Sequence, residues 1–262
     1  AANSDTGMVI INATSVGGTL AGSADVCSDG NTTTLTLSGH TGTVTRWEWS
    51  EASDFSSGVN TVANTTTTLT ATNLTVTRYY RAVVTNGVCA AANSAGALIT
   101  VSPTSVAGTI TGATTVCSGT NSTTLTLGGN TGTIQWESST TSTTAGFTPI
   151  SGATASTYTA TNLTQTTYYR AVVTSGACAS ATATAVTVTV SAVPTAGTVT
   201  GPTSVCTGST AALTLGGMSG GTVSKWQSSA TSNFATATDI ANTLSTYTSL
   251  ALSATTYFRA VI

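Results

Sequence analysis

Cysteine is the residue type in this chain whose number and spacing most invite a chemical reading: five occur in 262 residues, at 27, 89, 117, 178 and 206. Val26-Cys27-Ser28, Val116-Cys117-Ser118 and Val205-Cys206-Thr207 recur at steps of 90 and 89 residues, and Cys89 and Cys178 follow the first two at similar offsets. No histidine or second cysteine pair sits within metal-ligand spacing, so the expected use is a structural disulfide formed in an oxidising compartment. The spacing predicts Cys27–Cys89 and Cys117–Cys178 bonds, with Cys206 awaiting a partner that would follow Ile262. Each bond would close a loop of about 60 residues, on the order of 4 kcal/mol in the chain-entropy model. Buried free thiols are the plainer alternative.

Other chemistry finds little to work with. The one histidine, His40, stands in a Gly-flanked turn where the matching positions are Asn130 and Met218. Glu48 and Glu51 are close, but the second repeat offers only Glu137 and the third Gln227, so a paired-carboxylate site is not expected. Asp25, Asp29 and Asp54 lack calcium-loop spacing. No Gly-x-Ser-x-Gly elbow with His and Asp partners occurs. The expectation is a non-enzyme with no cofactor and no metal. Six basic and eight acidic residues, net charge −2, provide no field for nucleic acid or an anionic membrane. Ala1 to Ile11 lacks the basic-then-apolar pattern of a signal peptide, and no run of residues suits membrane insertion.

The elements that must position the cysteines repeat with them. Arg78-Tyr79-Tyr80-Arg81-Ala82-Val83-Val84 recurs as Thr167 to Val173 and as Thr256 to Ile262. Each copy carries a Leu-x-Leu pair (Leu35 and Leu37, Leu125 and Leu127, Leu213 and Leu215), a Gly-rich turn and one matched tryptophan, Trp47, Trp136 or Trp226. Segments such as Thr34-Leu35-Thr36-Leu37 and Val186-Thr187-Val188-Thr189-Val190 alternate apolar with hydroxyl residues, the period of a half-buried strand. Asn86-Gly87 and Ser175-Gly176 read as tight turns into a closing strand. The fold class expected is all-β, tandem immunoglobulin-like β-sandwiches arranged end to end.

The boundaries expected are 1–14 for a final strand of a preceding or neighbouring unit, 15–102 and 103–191 for two whole units, and 192–262 for a third lacking its final strand. Ala1-Ala2-Asn3-Ser4 matches Ala91-Ala92-Asn93-Ser94, and Met8-Val9-Ile10-Ile11 matches the strand beginning at Ala97. Short linkers, two with proline, imply a semi-rigid rod. Within each unit a core is expected from Trp47, Trp136 and Trp226, packed near the disulfide, and from Tyr80, Tyr169 and Phe258. Tyr79, Tyr168 and Tyr257 retain a hydroxyl suited to a backbone bond, while Arg81, Arg170 and Arg259 are expected with their heads in water. Trp49, matched by Ser138 and Ser228, extends the core or meets an interface. Asn-x-Ser/Thr triplets at Asn12, Asn31, Asn64, Asn73, Asn121 and Asn162 are mostly chance in so threonine-rich a chain, although surface glycan remains open.

Taken together, Val-Cys-Ser-Gly, Leu-x-Leu, Trp-x-x-Ser and Thr-Tyr-Tyr-Arg-Ala-Val-Val-Thr-x-Gly followed by Cys, best seen in Val116 to Cys178, resemble the tandem immunoglobulin-like repeats of large secreted surface proteins in Bacteroidota. The resemblance covers essentially the whole chain. It implies an extracellular, cell-surface location, export by the type IX route, and a role in an adhesin stalk or surface fibre. The leading expectation is a structural repeat giving length and stiffness, whose partners are adjoining repeats or same-protein subunits end to end. The first alternative is a fibre subunit polymerising by donor-strand complementation, Met8, Val9, Ile10 and Ile11 of one copy completing the third unit of another. A second is a carbohydrate-binding adhesin module using Trp49 and the loops around Phe55, Phe147 and Phe234, with surface glycans as partner.

Overall fold

The structure is a computed structural model that describes residue 5 and residues 7–262. The matched segment Ala1–Ser4 lies outside the described residues. Among the described residues every regular element is a strand. In the first unit β1 is Thr19–Ala21, β2 Ala24–Cys27, β3 Thr32–Ser38, β4 Thr43–Ser50, β5 Asn60–Val62, β6 Thr68–Thr72, β7 Arg78–Thr85, β8 Ala92–Asn93 and β9 Ala97–Ser102. One layer is ordered β1-β3-β6, the other β2-β9-β7-β4-β5 with β8 beside β7. The alternation in the sequence explains the layers. Along β3 and β6, Leu35, Leu37, Leu69 and Ala71 turn inward while the threonines face water. The outward hydroxyls pair across strands, as in Thr34 with Thr70 at 3.2 Å, which gives the chain's high threonine content a use on the exposed face.

Facing them, Trp47, Tyr80, Ala82, Val84, Ala97 and Ile99 complete the core. Trp47 is opposite Ala82 and Trp49 opposite Tyr80 in an antiparallel ladder with one bulge between Val44 and Arg46. The chain crosses from the first layer to the second between β1 and β2. Gly22 makes that crossing with φ of +104°, and a Cβ there would collide with the Thr34 carbonyl. Once across, β2 runs parallel to β9, with Cys27 level with Ser102. In contrast β7 runs antiparallel to β9, with Arg78 level with Ile99.

The second unit repeats this plan in β10 Thr109–Thr111, β11 Thr115–Cys117, β12 Ser122–Gly128, β13 Thr133–Ser139, β14 Thr148–Pro149, β15 Thr157–Thr161, β16 Thr167–Thr174, β17 Ala181–Thr182 and β18 Val186–Ser191. Its layers are β10-β12-β15 and β11-β18-β16-β13-β14 with β17 beside β16. The third contains β19 Thr198–Thr200, β20 Ala212–Gly216, β21 Lys225–Ser229, β22 Thr238–Ile240, β23 Thr246–Thr248 and β24 Tyr257–Val261. Its layers are β19-β20-β23 and β22-β21-β24, so β24 is an edge strand. Ser204-Val205-Cys206, the counterpart of β2 and β11, forms no strand. Residues 7–15 likewise form no strand, and Met8, Val9, Ile10 and Ile11 are 83%, 89%, 69% and 92% exposed.

Candidate functional site

The cysteines define the site. The structure bonds Cys27 to Cys178, with Cα atoms 4.7 Å apart, and leaves Cys89, Cys117 and Cys206 as thiols. The expected Cys27–Cys89 and Cys117–Cys178 pairings are therefore corrected to one bond between the first and second units. Strand direction is the reason. Since β2 follows β9 towards the end of the unit while β7 runs the opposite way, Cys27 is left at one pole of the unit and Cys89 at the other. At about 3.3 Å per residue the level of Cys27 and the end of β7 are roughly 30 Å apart, against the 7 Å that limits a disulfide. The turn after β16 carries Cys178 to the start of its own unit, where its sulfur lies 3.5 and 3.2 Å from the Ser102 and Pro103 carbonyls of the linker. Cys27 waits at that same level.

Each side of the junction is held by repeated polar contacts. Asn31 donates from its side-chain amide to the carbonyls of Cys27 and Leu74, both at 2.7 Å, and accepts from the Leu74 backbone at 2.9 Å. Asn121 does the same with Cys117 and Leu163. These two residues were legible in the sequence only as glycosylation triplets; their recurrence four positions after a cysteine was the available signal. With both hydrogens donated, the Asn31 amide is committed to the fold. On the other side the Ser175 backbone N–H donates to Ser105 Oγ at 2.9 Å, as Asn86 does to Ser15. Cys89 occupies the seat of Cys178, its sulfur 3.7 and 3.3 Å from the Asn12 and Ala13 carbonyls.

The three tryptophans are fully buried, each with its indole N–H donated to a backbone carbonyl: Trp47 to Thr66 at 3.0 Å, Trp136 to Ala155 and Trp226 to Leu244, both at 2.9 Å. The Cys27–Cys178 bond belongs to none of the three core clusters in which these tryptophans sit. Tyr80 and Tyr169 are each 3% exposed; Phe258 is only partly buried. Burial, then the charge of Tyr158, pushes the Tyr169 hydroxyl up to about 12. Tyr79, Tyr168 and Tyr257 make no hydroxyl hydrogen bond among the described residues.

Of the arginines that follow the paired rings, Arg81 and Arg170 are half-buried rather than wholly in water and Arg259 is exposed as expected. Arg81, Arg170 and Arg259 lie over the rings of Phe55, Phe147 and Phe234, at 4.2, 4.2 and 4.4 Å from the centroids, and cation–π attraction favours that placement. Phe55 and Phe234 adopt φ of +56° and +51°, a conformation unfavourable for so large a residue, which is held where the ring meets the guanidinium. The opposite partner is Glu48, which also receives Arg46 at 2.7 Å, then Glu137, then Gln227. Burial acts to raise the Glu48 carboxyl, but hydrogen bonds and charge from Arg81 and Arg46 outweigh it and hold the group below its ordinary value. Trp49 packs on the core edge beneath Arg78, whose guanidinium lies 3.7 Å from its ring centroid. The rings proposed for sugar stacking thus have a face occupied by arginine.

His40 sits in the turn before β4. Among the described residues no group of three metal-ligating side chains forms, and no helix is long and apolar enough to cross a membrane. A groove of about 600 Å³ opens in the third unit, lined among others by Val199, Val205, Leu213, Thr256, Tyr257 and Phe258. It lies between the counterparts of β2 and β7, where β9 and β18 run in the first two units.

A family model described as "Domain of unknown function (DUF8696)" matches residues 16–103, 106–192 and 195–262. Searched against curated proteins, the chain finds no match. Solved structures similar to it include the FN1–FN3 domains of chicken CNTN1, at 13% identity and TM-score 0.31 over 93% of this chain and 91% of that one. A marsupial T cell receptor gives 14% identity and TM-score 0.44 over 92% and 99%. The mouse coronavirus receptor-binding domain complexed with its murine receptor gives 13% and 0.44 over 65% and 99%. These likenesses are loose.

Proposed function

Because the chain belongs to the family described as "Domain of unknown function (DUF8696)", in three tandem copies, we propose that it is a non-enzymatic structural repeat of an extracellular surface filament or adhesin stalk, giving length and stiffness. The junction carries this reading. A disulfide that ties one unit to the next, rather than closing a unit on itself, contributes to the relative placement of units, as a stalk requires. Such a bond persists in oxidising compartments, which favours an extracellular place; the finer assignment to a Bacteroidota surface reached by the type IX route rests on the resemblance of the repeats. Small-angle scattering tests the shape. Three units in line give a radius of gyration far above the roughly 18 Å of a compact chain of this length, and a value near that figure overturns the reading.

A second reading is favoured by the groove of the third unit together with the exposed apolar residues near the other end. In it, residues 7–11 of one copy lie in the groove of another and complete its sheet. By the linker register, in which Asn12 takes the place of Ser102, Val9 falls at the position of the fully buried Ile99 and Ile11 at that of Val101. Intact mass of reduced, denatured protein from its natural source separates the two. A mass near 25.8 kDa supports discrete subunits joined by strand exchange; a mass many times larger supports one long chain.

A further inference from the structure

Cys27–Cys178 has unbonded counterparts in the first and third units. Cys27 is level with Ser102, and Cys178 rests against the Ser102 and Pro103 carbonyls. Cys89 rests against the Asn12 and Ala13 carbonyls in the same way, yet is unbonded. Cys206 follows Val205, a wall of the groove, and is exposed. A strand lying in that groove as β9 lies in the first unit would bring its following linker residue level with Cys206.

We propose that the first cysteine of a unit bonds to the second cysteine of the unit that follows it, as a repeating staple, and that Cys206 of one copy joins Cys89 of another when residues 7–11 of the second copy occupy the third-unit groove of the first. The partner is a second copy of this chain. The bond forms by thiol–disulfide exchange with a small disulfide such as oxidised glutathione. One protein thiolate attacks the oxidant and releases one glutathione thiol; the second thiolate attacks the mixed disulfide and releases the other. The new S–S bond thus forms as two thiol protons are lost and two electrons pass to glutathione. Cys117 supplies an internal control. It is exposed like Cys206, but in this scheme its partner is a second cysteine of the third unit, and no cysteine lies between Cys206 and Ile262.

The inference rests on the end-to-end reading, and its test separates the two. The full chain is incubated with a glutathione redox buffer, resolved without reductant and mapped by peptide mass spectrometry. The expected result is a ladder of covalent multimers joined through Cys206 and Cys89. Cys206→Ser or Cys89→Ser alone stops the ladder, a mixture of the two variants yields dimers and nothing longer, and Cys117→Ser leaves it unchanged. Val9→Asp lowers the cross-linking yield by about tenfold or more, since a carboxylate in an apolar groove costs well over the 1.4 kcal/mol that a tenfold change represents. Links through Cys117 at comparable frequency, or no link under oxidising conditions, overturn the staple. Sedimentation in reductant then decides the rest: association there with no cross-link leaves end-to-end docking standing, whereas monomers under both conditions remove both.

Discussion

The second and third units share the Leu-x-Leu pair, the core tryptophan and the Arg-Ala-Val strand in the same order, yet only the second is sealed. Its core buries ten residues, from Ile110 to Val188, whereas that of the third buries Leu213, Leu215, Val223 and Trp226. Tyr169 is 3% exposed while its counterpart Phe258 is only partly covered, although phenylalanine is the more apolar ring. Val116 and Cys117 belong to a strand; Val205 and Cys206 do not. The difference is β18, which hydrogen-bonds to β11 on one side and to β16 on the other. One strand therefore orders two neighbours and closes the cleft between the layers.

The sharpest way to break the comparison is Trp136→Ala. Removing a fully buried indole and leaving its cavity costs about 3–5 kcal/mol, enough to unfold the second unit first in a urea titration followed by site-resolved hydrogen exchange. Supplying the third unit with what the second has should act in the opposite sense. A peptide with the sequence of residues 186–191, bound in the groove at about a hundred times its Kd, would stabilise that unit by about 2.7 kcal/mol; the reading is sunk if it protects no amide of β24.

Smaller effects come from the polar stripe. Glu48 is held below the 4.5 of a free glutamate, so its contribution to the first unit is present above that value and is lost as pH falls through the lower folded value. Glu48→Gln, which mimics the Gln227 of the third unit, should flatten the acid limb of the stability curve; an unchanged acid limb would show that the arginine contacts add nothing. At the alkaline end the sign reverses. With the Tyr169 hydroxyl pushed up to about 12, its contribution is full below the ordinary value near 10, and is lost as pH rises from there towards 12. Tyr169→Phe, the residue type the third unit carries, should remove that dependence, as followed by thermal melts between these limits.

Much of each sandwich was legible because its cause is linear. Alternation in Thr34-Leu35-Thr36-Leu37 dictates which side chains face inward, and recurrence of Trp47, Trp136 and Trp226 marks one place per core. The arginine stripe was half legible: the repeat of Arg81, Arg170 and Arg259 was visible, but not that a loop residue in a left-handed conformation would turn each of two phenylalanine rings beneath them. The disulfide partner is not legible in the sequence, for a stronger reason. Sequence separation favours the nearer cysteine, 62 residues away rather than 151, and carries no information about which pole of a sandwich a residue reaches.

By itself, then, the sequence determined the period, the strands, the inward faces and the poverty of chemical groups, since these follow from the side chains and their order along one chain. Only the tertiary structure decided that Cys27 meets Cys178. That choice depends on β2 running parallel and β7 antiparallel to β9, a relation between distant segments set by how the two layers close over the core.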